Sequence, residues 1–588
     1  MDIPKLRPIP MTREVVRAFG GLNRAQGAGE WEFSHMENLT SDAYPALAPR
    51  KARSLYAAPA SPQGLIARDS LCYVDGADFV LGETRIPMGL SVRPEDCPKQ
   101  LISMGAWVII LPDKRWINTA DPSQHGAIEA ETAVTGVKVS LCRADGRDYE
   151  AYHLGTEAPQ SPKGGDLWLD TSATPHQLKQ YASETDRWTQ VLTTFLRLEA
   201  PGISAGFEKL DAVVLRFPQG VLPELNGANL IQDLGEGYIV ITGLLPEAVT
   251  VAGTVTVSRK MPRVDYVVES GNRLWGCRYG YDEEGEFVNR IYASALGDFR
   301  NWNRFQGVST DSYFANLGTD GPFTGGVNYL GEALFFKENC IHRVWGSYPG
   351  EFRVVSIPCR GVEPGSHRSL ALVGETLYFK SRSGVCAYDG SQPRLISGKL
   401  GSRVYCDAVA GAWNSRLYIS MAWEEGRELL VYDTRQDTWH REDDLAVQCF
   451  CTHRGSLYAI DEASRNILRL ASPGEAVGEP VPWLAVTTPL GLTYTQYITM
   501  LLLWEKYLSR VTLRLALKPE GELRLDVQYD ESGAWEELAV IRSSDFRSFS
   551  VPVLPRRCDS PRLRLRGRGD FRLYSMTKTM EGGSSVTW

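Results

Sequence analysis

Apolar and polar residues alternate along most of this chain with a period of two, not with the 3.6-residue period of a helix. Residues 512–517 (TLRLAL), 522–529 (ELRLDVQY) and 562–566 (RLRLR) put every second side chain on one face, the pattern of a half-buried antiparallel strand. Helical stretches are few and short, so the pattern predicts a mainly β protein.

A repeat runs through the strands. Asn272, Gly374, Ser415 and Gly455 each precede a Leu-aromatic pair, at Leu274-Trp275, Leu377-Tyr378, Leu417-Tyr418 and Leu457-Tyr458, and Gly331 precedes Leu334-Phe335 in the same way. The leucines are spaced by 60, 43, 40 and 40 residues. A step of about 40–45 with several short strands per unit is the period of propeller blades. Each unit is read as opening on the Leu-aromatic strand and continuing through a turn to a second strand that ends in Tyr388-Asp389, Tyr432-Asp433 or a looser equivalent such as Val344-Trp345. Two more blades are expected upstream, at 70–81 and 105–118.

The predicted architecture is a β-propeller of about six or seven blades with an inserted small β-domain and a C-terminal β-sandwich. Residues 1–60 form an N-terminal arm and the first propeller strands, 61–119 the first part of the propeller, and 264–470 its main part. Between these, 120–263 breaks the spacing. Its strand-like runs at 211–217, 237–243 and 253–258 predict an inserted barrel or sandwich. A Pro- and Gly-rich linker at 471–482 leads to a terminal β-sandwich at 483–588.

Composition narrows the function. Charged residues make up 23% of the 588 and aromatic residues 10%, too much apolar surface for a disordered polymer. A net charge of −8 disfavours a globally basic nucleic-acid binder. The longest apolar runs, 106–111 and 500–504, fall far short of the ~20 residues of a spanning helix, and residues 1–20 show no secretory signal; a soluble protein made in the cytoplasm is expected. Eleven cysteines are scattered singly, which predicts reduced, buried thiols.

No catalytic constellation, cofactor site or metal site emerges. The acidic clusters at Asp282-Glu283-Glu284, Glu424-Glu425 and Asp443-Asp444 are expected in solvated turns. The eight histidines lack ligand spacing. The run 318–326 (GTDGPFTGG) lacks the lysine of a phosphate cradle and reads as an inter-strand loop. Arg562, Arg564 and Arg566, on one strand face, suit a solvated sheet or subunit salt bridges better than passing DNA. Trp302, Trp345, Trp413 and Trp439 would serve a sugar-binding cleft, though packing between blades explains them with fewer assumptions.

Four patches resemble one family, the last of them 565–575 near the C-terminus, which is similar to that family's last strands. Phe19, Gly20, Gly21, Leu22 and Asn23 with Asn38, Leu39, Tyr44, Pro45, Pro49 and Arg50, the segment 165–188 around Trp168 and Trp188, and 272–302 from Asn272 to Trp302 resemble the β-propeller tail nozzle or hub proteins of tailed bacteriophages. That resemblance implies a structural virion protein and no enzyme: a ring subunit, hexameric around a DNA-ejection channel, touching itself, adaptor and fibre proteins and, transiently, passing DNA. The alternative from another class is a glycan-binding or glycan-hydrolysing β-propeller protein. An enzyme of that kind should carry at least two carboxylates on the inner strands of different blades.

Overall fold

The computed structural model describes residues 11–92, 99–474, 479–491 and 506–582. The apolar run at 500–504 lies outside the described residues, as does part of the expected linker. Among the described residues there is no α-helix, only three short 3-10 turns between strands, and no helix long and apolar enough to cross a membrane.

Two compact units divide the chain: residues 1–99, 336–341 and 358–588, and residues 100–335 and 342–357. The first holds four four-stranded antiparallel sheets of the propeller-blade kind, over 62–87, 371–395, 406–443 and 447–471. In the last of these the fourth strand is Ser54–Ala57, paired with Ile467–Ala471 from the far end of the repeat. The second unit holds sheets of the same kind over 100–127 and 266–316 and most of a third over 323–358.

The repeat leucines lie on Arg273–Tyr281, Glu332–Lys337, Thr376–Ser381, Arg416–Trp423 and Ser456–Asp461, and all five are fully buried. These are the second strands of their sheets, not the first as the repeat suggested. The strand before each, such as Cys406–Trp413 or Val447–His453, lacks the Leu-aromatic mark. The long 60-residue step is explained by the excursion 294–312 between Phe287–Ala293 and Tyr313–Asn316. The glycine-rich run 318–326 is only half a loop, because Phe323–Tyr329 already pairs in a sheet.

Within the inserted region a seven-stranded antiparallel sheet is built around the long strands Ala130–Cys142 and Val249–Arg259. Their alternating valines, with Leu196, Leu198, Ile239 and Ile241, form a separate core. A four-stranded sheet beside it includes one parallel pairing, His153–Gly155 with Leu167–Asp170.

In the first unit an eight-stranded sheet combines the C-terminal strands with two from the N-terminus. Met11–Val16 pairs with Phe571–Gly582, and Phe33–Glu37 pairs with Pro482–Thr487. The terminal sheet is therefore not made by 483–588 alone.

Candidate functional site

An aromatic cleft in the second unit begins where a buried strand comes to its end. On Cys340–Trp345, Ile341, His342 and Val344 are buried, whereas Trp345, the last residue of the strand, is 55% exposed. The chain then turns at Gly346, whose φ of +120° and 2.9 Å approach of the Glu351 carbonyl to a Cβ placed there leave no room for a side chain. Backbone N–H groups of Glu351 and Phe352 donate to the Tyr348 carbonyl at 2.8 and 3.0 Å, and Tyr348 stays 46% exposed at the tip.

Two cavities of about 760 and 580 Å3 use this loop as a wall. Trp345, Glu332, Glu351 and Arg353 line the larger. Phe305, Tyr313, Phe314 and Tyr348 line the smaller. Phe305 and Phe314, each nearly half exposed, meet edge to face at 5.9 Å. Beneath the cleft Trp275, Tyr313 and Phe352 pack edge to face, with Trp275 and Phe352 centroids 4.9 Å apart. That arrangement fixes the ring positions.

Buried Arg273 ties the floor together. Its guanidinium donates to the carbonyls of Ser294 and Ser309, both at 2.8 Å, and to that of Asp311, and it sits over the Phe352 ring at 5.5 Å. Burial pushes it down to about 10, against the attraction of Asp311. The carboxylates here are already engaged. Glu332 accepts from Arg343 at 2.9 Å, Glu351 from the Ser347 N–H at 3.3 Å, and Asp311 from the N–H groups of Gln306, Gly307 and Val308.

The other predicted tryptophans do not join this cleft. Trp302 and Trp439 are buried and donate to the carbonyls of Phe299 and Ile396 at 3.0 and 3.1 Å. Trp413 donates to Gly455 at 2.8 Å. Phe305 and Tyr348 lie in loops, which carry no periodicity that separates a displayed ring from a buried one, and Phe314 sits on the four-residue strand Tyr313–Asn316, too short to stand out in the sequence.

Among the first strands of the blade-like sheets, each unit has a single carboxylate: Asp407 in the first, and Glu269 in the second, where it accepts from the Asn272 N–H at 3.0 Å. Of the acidic clusters, Asp443 is no solvated turn residue, because Arg53 and Arg50 pair with it at 2.7 and 3.2 Å. Arg564 and Arg566 both donate at 2.7 Å to Asp526, a buried carboxylate on the neighbouring strand. Burial alone would raise Asp526, but these two guanidiniums hold it below the usual carboxylate range. Arg562 donates to the Ser34 hydroxyl at 2.6 Å. Among the described cysteines most are buried, but Cys406 is exposed, contrary to expectation.

No family model and no curated protein matches the chain. Solved structures do. An exo-β-1,3-galactanase from Phanerochaete chrysosporium is 9% identical, over 53% of this chain and 94% of that one, with a TM-score of 0.20. An arabinoxylan arabinofuranohydrolase from Bacillus subtilis is 9% identical over the same shares, with a TM-score of 0.15. An acylaminoacyl peptidase from Pyrococcus horikoshii is 11% identical, with a TM-score of 0.22, and the chain spans just 56% of its length. Against the expectation of a phage tail nozzle or hub subunit, the solved structures named here are sugar-cleaving enzymes and a peptidase, and that expectation is withdrawn. The hexameric ring, the tail partners, the DNA contact and the virion location rested on the same resemblance and are not carried further. Likenesses this distant carry no argument about chemistry, which has to come from the cleft itself.

Proposed function

We propose that the protein binds glycans through the aromatic cleft of its second unit and does not cleave them. The observation that carries this reading is the set of four rings left exposed around two adjoining cavities, Trp345, Tyr348, Phe314 and Phe305. An apolar sugar face packs against such rings, and its hydroxyls need polar groups at the edge. Glu351 and Arg353 stand there. Cleavage would call for two carboxylates arranged as acid and base or nucleophile, whereas the acids at this cleft already accept from Arg343 or from backbone N–H groups.

Electrophoresis through gels containing soluble polysaccharides tests the reading. At least one polysaccharide should retard the wild-type protein, and Trp345→Ala should weaken that retardation about tenfold or more, as the loss of a ring anchor does. Reducing ends should not accumulate on prolonged incubation. Uniform mobility in every gel, or release of reducing sugar, contradicts the proposal.

A further inference from the structure

A second cavity, in the first unit, is shaped by three backbone irregularities at matching places. Strands Pro62–Ala67, Cys406–Trp413 and Val447–His453 each open a blade-like sheet and pack side by side. The register with the next strand slips between Pro62 and Leu65, between Cys406 and Val409, and between Val447 and Cys449. Bulges re-aim side chains. Each slip places one of its residues, Gln63, Asp407 or Gln448, in the wall of one cavity of about 490 Å3. The first strands of the second unit's sheets over 100–127 and 266–316 run in register without such slips.

Two features mark the place as built for a ligand. Gln448 is 5% exposed, and its side-chain Oε1 has no hydrogen-bond partner among the described residues, a costly state for a buried acceptor. Asp407 holds a left-handed backbone at φ +45°, uncommon for a residue other than glycine. Opposite it lies Gly365, where a Cβ would come within 2.8 Å of the Asp407 carboxylate.

The lining also tells what would fit. Three guanidiniums, Arg368, Arg427 and Arg465, face three carboxylates, Asp407, Asp461 and Glu462. His367, pushed down to about 4 by burial and by Arg368, adds no charge near neutrality. The balance is close to zero, and no aromatic ring other than that imidazole lines the wall. Asp461 is committed to its own turn, accepting from the Ala463 N–H at 3.0 Å and the Ser464 hydroxyl at 2.6 Å. Arg368 donates to the Gln448 carbonyl and so holds that bulge. Arg427 reaches only the Asp407 carbonyl, at 3.4 Å, and meets no carboxylate within 4 Å among the described residues. What remains is an alternation of donors and acceptors without net charge.

We infer that this cavity binds a small neutral polyhydroxylated molecule, a polyol or monosaccharide unit. Asp407 and the Gln448 carboxamide oxygen would accept from its hydroxyls, and Arg427 would donate to them. The site is separate from the aromatic cleft and does not depend on it.

Isothermal titration of the full chain with xylitol, glucose, methyl glucoside, cello-oligosaccharide, glucuronate and glucosamine tests the inference, with Trp345→Ala run alongside. At least one neutral compound should bind both proteins equally, and glucuronate and glucosamine should bind it about tenfold more weakly or worse. Binding of the monomers alone identifies a free polyol as the ligand; binding of the oligosaccharide as well identifies a chain end. Gln448→Met should abolish binding while raising the melting temperature, because it removes an unsatisfied buried acceptor. Asp407→Asn should weaken binding about tenfold. The inference is overturned if no neutral compound binds, if glucuronate or glucosamine binds as tightly, or if both variants keep wild-type affinity.

Discussion

Glu428 concentrates the first unit's electrostatics in one side chain. It is buried, and it accepts from both terminal nitrogens of Arg24 at 2.9 Å, from Arg403 at 2.7 Å and from the Tyr405 hydroxyl at 2.6 Å. Burial would raise its pKa, but Arg24 and the other donors outweigh it and hold the carboxyl near 2. Removing one partner of a buried pair leaves the other charges uncompensated, so Glu428→Gln should cost about 3–5 kcal/mol, read as a lowered denaturation midpoint at unchanged slope. The sign of the pH effect follows from linkage. A carboxyl depressed in the folded state contributes stability above its unfolded value of about 4.3 and loses it as pH falls toward 2. His440 behaves differently. Buried, and repelled by Arg416, it is pushed down to about 4, and His367 likewise. Below about pH 6.5 the unfolded chain takes up protons that these rings refuse, so stability should decline from there down to about pH 4. Melting temperatures measured from pH 8 to pH 3 should fall in two stages, and Glu428→Gln should remove much of the second. A flat profile across this range contradicts both assignments.

At the scale of elements, the leucines were legible because a buried, repeated side chain imposes itself on the local pattern. Leu377 is fully buried between strands, and Leu377→Asp, which places an unpaired charge there, should cost more than about 4 kcal/mol and remove the cooperative melting of its sheet. Wild-type melting would contradict the register. The phase of the repeat lies one strand earlier than the Leu-aromatic mark suggests, since Cys406–Trp413 and Val447–His453 bring no such mark of their own. Nor was the pairing of Ser54–Ala57 with Ile467–Ala471 legible: hydrogen bonds between segments so distant in sequence leave no trace in local periodicity. Replacing residues 54–57 by a Gly-Ser linker should bare the edge of that sheet and promote association, measurable as concentration-dependent sedimentation. The cleft was legible only in part. Trp345 appeared among four candidates, but burial separates it from Trp302 and Trp439, and burial is a tertiary property. The bulges at Gln63, Asp407 and Gln448 depend on strand register and are equally hidden.

Across the whole molecule, many of the charged side chains among the described residues hold sheets together, and two cavities carry polar or aromatic groups that this pairing leaves over. The arginines of 562–566 pair with Asp526 and Ser34 within the terminal sheet, so that stripe offers little to a partner. The N-terminal strands serve the same sheet, and deleting residues 11–37 should lower the melting temperature of the first unit through the lost pairings with Phe571–Gly582 and Pro482–Thr487. In the second unit the rings around the cleft remain uncovered. The most direct measurement is the crystal structure of the protein soaked with an oligosaccharide that retards it in the gel. The expected result is a pyranose ring stacked on Trp345, with its hydroxyls within hydrogen-bond distance of Glu351 or Arg353. Sugar density only at Asp407 and Gln448, or a cleft whose rings touch no sugar, would contradict it.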